Sequence, residues 1–172
     1  MHGASLHRPA AVRRIESACI GLACAALLAL VVLVTAEVVA RSFFNFSFEL
    51  VDEVGGYLLA ALSFFALAPS LAGGAFHSVE FIQHKLAAGA RQRLVFAFTL
   101  LSLAFTGVML GVVVRYVWRS WVQQDVASTL LQTPLWIPQL VMIVGLAALA
   151  VTLTAQGIGQ WRSWPRDAGE RP

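Results

Sequence analysis

The chain has 172 residues, of which 59% are hydrophobic and 12% charged, with a formal net charge of +3. Soluble proteins average about 45–50% apolar and about 25% charged residues, so a water-soluble enzyme domain is excluded as the main body. The basic pI near 9.4 does not indicate nucleic acid, because the basic residues gather at the ends of apolar runs and no soluble basic face or recognition motif accompanies them.

A hydrocarbon core about 30 Å thick is crossed by about 20 apolar helical residues, and four charge-poor stretches of that length are present. Met1 to Glu16 is a short basic tail, and the first span covers about residues 17–39. The run from Ala18 to Ala36 is longer than the 7–15 residues (about) of a secretory h-region and ends at Glu37 without a cleavage pattern, so an uncleaved first span is expected. Cys19 and Cys24, five apart on that span, point to different faces and are the only cysteines. They read as small apolar fillers, not as a disulfide or a zinc site. Arg41 to Val51 is a turn with Asn45 and Ser47, and span two covers about residues 54–73.

Phe76 to Arg93 is a polar connection in which Val79, Ile82, Leu86 and Ala90 recur at helical spacing, among polar Glu80, Gln83, His84, Lys85 and Arg91. That pattern predicts an amphipathic helix lying in the membrane interface. Span three covers about residues 94–114, a second polar connection runs to Thr133, span four covers about residues 135–155, and a polar tail follows. The fold expected is an all-α membrane protein, a single domain over residues 1–172 with four transmembrane helices.

Orientation follows from Lys and Arg in short loops. Of 12 such residues, nine lie in the two tails and the middle loop, and three (Arg41, Arg115 and Arg119) lie in the other two connections. Both termini are therefore expected in the cytoplasm.

No ionisable residue is expected at mid-depth, where it would mark a transport or coupling site. The histidines, His2, His7, His77 and His84, lie in the tail and the middle loop, so a haem anchor is disfavoured. No phosphate loop, metal set or nucleophile–base pair stands out, and neither a catalytic residue nor a cofactor is predicted. A stand-alone small carrier and a membrane anchor for a redox complex are the alternatives to a scaffolding role.

Glu49, Asp52 and Glu53 open span two on one helical face, where acids meet the favourable end of the macrodipole. Arg115 and Arg119, four apart, close span three, and the two groups are candidates to meet each other or a partner subunit. Gly107 and Gly111 form a small-xxx-small pair suited to close helix packing. Lys85, Arg91, Arg93, Trp118, Trp121 and Trp136 are candidate interfacial anchors, with Tyr116 in the same aromatic belt.

Several local patterns resemble the small membrane subunit of tripartite ATP-independent periplasmic (TRAP) transporters, the DctQ-like family. Phe48-Glu49-Leu50-Val51-Asp52-Glu53 is similar to that family's aromatic-then-paired-acid segment, with Phe48 where the family usually has tryptophan. Gly74-Ala75-Phe76-His77-Ser78-Val79-Glu80 is similar to its glycine–histidine–valine–acid stretch, with a spacer one residue shorter. Thr133-Pro134-Leu135-Trp136-Ile137-Pro138-Gln139, followed by Gly145, resembles its opening of the last helix, and the likeness runs from about Ile15 to Gln156. The resemblance implies a bacterial inner-membrane protein that braces a large multi-span membrane subunit. That partner would carry out sodium-coupled uptake of an organic acid delivered by a periplasmic binding protein. It also implies that this chain has no substrate-binding residues of its own, and that its contacts are the large subunit, the binding protein and lipid.

Overall fold

A computed structural model describes residues 9–45, 47, 50–73, 88–128 and 132–163. They form four long helices: α1 (Ala10–Phe44), α2 (Leu50–Ala72), α3 (Ala88–Gln123) and α4 (Trp136–Ser163). Each contains a segment long and apolar enough to cross a membrane. Each predicted span falls on one of these helices, but the helices do not stop at the apolar boundary. At about 1.5 Å per residue, the 35 residues of α1 and the 36 of α3 extend well past a core of about 30 Å. Helical hydrogen bonding continues because the flanking residues, such as Arg13, Arg14 and Arg119, are themselves good or tolerable helix formers. Ala90, Arg91 and Arg93, read as part of the middle connection, consequently belong to α3. The rest of the expected interfacial helix lies outside the described residues.

The helices pack in the order α1–α2–α4–α3, with a sparser contact between α1 and α4. Two hairpins are thus joined through α2 and α4, and α1 and α3 flank them. The first hairpin turns at Asn45, whose left-handed backbone (φ 49°) returns its N–H to the Ala40 carbonyl. Asparagine tolerates this conformation better than other residues with a Cβ. The second hairpin turns through a short ladder in which Ala127 N–H donates to the Thr133 carbonyl and Leu135 N–H to the Asp125 carbonyl, both at 3.0 Å.

Packing on α1 follows a seam. Val12, Glu16, Cys19, Ala23 and Ala26 are buried, Leu30 and Leu33 half-buried, and Glu37 buried again. The alternating steps of four and three are the heptad pattern of a helix lying nearly along its neighbour. The small residues of this seam meet Phe65 and Ala68 of α2 and Ala148 of α4 in the core. At the α2–α4 crossing the backbones come closer still. A Cβ on Gly145 would stand 2.6 Å from the Phe64 carbonyl oxygen and 2.7 Å from the Phe64 Cβ, so this position accepts only glycine without a shift. Thr152, fully buried on α4, donates to the Ala148 carbonyl at 3.0 Å. Its hydroxyl is thereby satisfied within its own helix.

Candidate interaction surface

The interior combines apolar side chains with buried polar ones, among them Thr106, Ser120, Gln139 and Thr152, and the candidate working surface is the outside of the helices. Large apolar residues stand open there. Leu28 and Val32 of α1 and Leu101, Phe105 and Val108 of α3 are each more than 60% exposed. Monomeric soluble proteins rarely show such continuous apolar area, and a bilayer or another membrane protein covers it at no comparable cost.

Polar groups cluster at the helix ends. In the first hairpin, Glu37 accepts hydrogen bonds from the Ser47 hydroxyl at 2.7 Å and from an Arg41 guanidinium nitrogen at 3.1 Å. Arg41 also donates to Ser47 at 3.1 Å, closing a three-membered network. The Glu37–Arg41 spacing of four residues is visible in the sequence. The burial of Glu37 is not, because it depends on which face of α1 turns toward α2. Glu16 is likewise buried, on the same seam and one turn from the core residue Cys19. The sequence reading placed both acids at the borders of the first span; the structure adds that they face inward.

Of the acids that open span two, Glu49 lies outside the described residues, Asp52 is exposed, and Glu53 is buried and accepts a hydrogen bond from the Tyr57 hydroxyl at 2.8 Å. Arg115 and Arg119 are exposed on α3, whose main packing partner among the described residues is α4. Among the described residues, neither arginine forms an ion pair, and Arg119 donates through Nε to Gln123 Oε1 at 3.1 Å. The structure therefore does not bring the described acids and the arginines together within the chain.

The aromatic anchors fall at the ends of the second hairpin. Trp121 and Trp136 meet edge to face with centroids 4.7 Å apart, and Phe96 and Trp161 are tilted together at 5.8 Å at the other end. Trp118 is 69% exposed and touches neither pair. The Thr99 hydroxyl of α3, within 3.0 Å of the Val95 carbonyl, shares its proton with Gln160 Oε1 of α4 at 3.2 Å, a polar tie beside the Phe96–Trp161 contact. Lys85 lies outside the described residues, Arg91 sits near the start of α3, and Arg93 is exposed there.

Gly107 and Gly111 have open space where a Cβ would stand. They leave a shallow strip on α3 facing away from the rest of the chain. The close approach within the chain is at Gly145, which the sequence singled out only as part of a family-like segment. A lone glycine without a small partner four residues away gives no packing signal.

A family model described as "Tripartite ATP-independent periplasmic transporters, DctQ component" matches residues 30–163. The match begins inside α1 and ends at the last residue of α4, so it takes in α2, α3 and both hairpin turns. No curated protein matches the chain.

Proposed function

Because the chain belongs to the DctQ family, the small membrane component of tripartite ATP-independent periplasmic transporters, we propose that it is the non-catalytic small subunit that braces a large multi-span transport subunit. The large subunit moves an organic acid with sodium, and a periplasmic binding protein delivers that solute. The protein lies in the bacterial inner membrane, with both termini in the cytoplasm as the distribution of Lys and Arg indicates.

One observation carries this reading beyond family membership. The four helices pack in a row and leave broad apolar faces on α1 and α3, while Cys19, Ala23, Phe65, Ala68 and Ala148 form an apolar cluster where α1, α2 and α4 meet. A carrier builds its site from polar or charged groups converging near mid-depth. Here the buried carboxylates Glu16, Glu37 and Glu53 stand toward helix ends. An assembly with an open apolar face on α1 and close packing behind it is suited to bracing a neighbour.

The test is co-purification. Expressed with a genomic neighbour encoding a protein of many hydrophobic spans, the tagged chain should retain that protein in a one-to-one complex. Solute uptake by proteoliposomes should need both chains and the binding protein. Uptake catalysed by this chain alone would overturn the proposal.

A further inference from the structure

We propose that α3 carries a phospholipid-binding ridge, with Arg115 and Arg119 as the ligands of a lipid phosphate. Leu101, Phe105, Val108, Val112, Arg115 and Arg119 follow one another at steps of four and three, so they form one stripe on the helix. All six are exposed. The opposite stripe, which includes Thr99, Thr106, Val117 and Ser120, is buried, and α3 packs on α4. The exposed stripe therefore faces whatever surrounds the protein.

Three features identify that surrounding as lipid. The first is length. Arg93 and Arg115 are 22 positions apart in α3, about 33 Å at about 1.5 Å per residue, close to the hydrocarbon thickness of about 30 Å. Phe105 to Arg115 spans about 15 Å by the same measure, the depth of one leaflet. An acyl chain can lie along Phe105, Val108 and Val112 with its phosphate at the arginines.

The second feature is side-chain size. Helix interfaces in membranes favour small residues that let backbones approach, whereas this stripe is bulky. The third is charge. Neither arginine forms an ion pair among the described residues, and Arg119 spends one donor on Gln123, leaving the rest of its guanidinium open. Planar guanidinium forks fit phosphate oxygens in pairs. Trp118, exposed beside them, is a residue type that settles at the level of the headgroups. The occupant is thus a phospholipid of the leaflet at the α4-proximal end of α3, and the ridge forms part of the boundary with lipid.

The full-length chain in detergent, titrated with dioleoylphosphatidylglycerol and followed by native mass spectrometry, tests this directly. Each arginine near an anionic lipid is expected to contribute about fivefold in affinity, so Arg115→Gln with Arg119→Gln should weaken binding about 25-fold. Arg13→Gln with Arg14→Gln, exposed at the start of α1, should leave the binding lost in the first variant intact. A wild-type measurement avoids any dependence on folding of the variants: dioleoylglycerol, which lacks the phosphate, should not compete. Equal retention of the two lipids by the wild type, or unchanged phosphatidylglycerol affinity in a helical Arg115/Arg119 double variant, would overturn the assignment. So would a double variant that keeps its lipid but loses a co-expressed membrane partner, since the ridge would then be a protein contact.

Discussion

Gly145 provides the sharpest test of the α2–α4 packing. Replacing it with alanine adds one carbon, and that carbon would stand 2.6 Å from the Phe64 carbonyl oxygen, 2.7 Å from its Cβ and 2.8 Å from its carbonyl carbon. Two of the three atoms belong to the α2 backbone, so no rotamer change relieves the clash. Ordinary contact begins at 3.4 Å, and the helices must separate by about 0.8 Å at the crossing. Overpacking of this kind costs about 1–3 kcal/mol. Alanine recovers about 1 kcal/mol of helix propensity over glycine, leaving a net loss of about 0–2 kcal/mol, and Gly145→Val should cost more. Gly107→Ala and Gly111→Ala supply the control, since each meets open space. Both should be neutral or stabilising by up to about 1 kcal/mol. Thermal unfolding of the purified protein, followed by circular dichroism in one detergent, ranks all four. A Gly145→Ala protein as stable as the Gly107→Ala protein would refute the close crossing.

Three further outcomes are expected. Glu37→Ala removes the acceptor shared by Ser47 and Arg41 and should cost about 1–3 kcal/mol. Arg41→Ala should cost at most about 1 kcal/mol, because that side chain is 69% exposed and its pair is screened by solvent; the reverse ranking in a melting experiment would count against the network. A double-mutant cycle of Trp121→Leu and Trp136→Leu should show coupling of about 0.5–1.5 kcal/mol from the edge-to-face contact, and strictly additive losses would argue that the rings do not meet. A cycle of Thr99→Val and Gln160→Leu should give about 0.6 kcal/mol, the usual scale for a hydrogen bond between membrane helices, with zero coupling as the contrary result.

The number of long apolar helices was legible in the sequence because the spacing of charges follows bilayer thickness. Which face of each helix is buried was not. In a soluble helix the polar face marks the outside, but in α1 Leu28 and Val32 face out while Cys19 and Ala23 face in, and both sets are apolar. Gly107 and Gly111 show the same limit. Their spacing says that close approach is permitted, not that a neighbour is present, whereas Gly145 lies against Phe64 with no spacing to announce it. For Arg115 and Glu53 the sequence places Glu53 in the first turn of α2 and Arg115 about two turns before the end of α3. It cannot give the lateral order α1–α2–α4–α3, which seats α4 between the helices that carry them. That order is decided by side-chain shape along the seams.

The seam of α1 reconciles two facts that look opposed, buried carboxylates and a dry interior. Glu16 and Glu37 are both less than 10% exposed, yet 21 positions separate them, about 32 Å along the helix. That distance matches the hydrocarbon thickness of about 30 Å, so when one lies at one border of the membrane the other lies at the opposite border. Glu37 has the arginine and the hydroxyl that such a position allows, supplied by the helix end and the hairpin turn. Between the two acids the seam holds only Cys19, Ala23, Ala26, Leu30 and Leu33. A carboxylate displaced one heptad inward would lose both water and partner at a cost of several kcal/mol. The heptad thus serves one packing face with two chemistries: apolar residues where lipid surrounds the hairpin, and acids, Glu37 among them hydrogen-bonded, where the helix emerges from it.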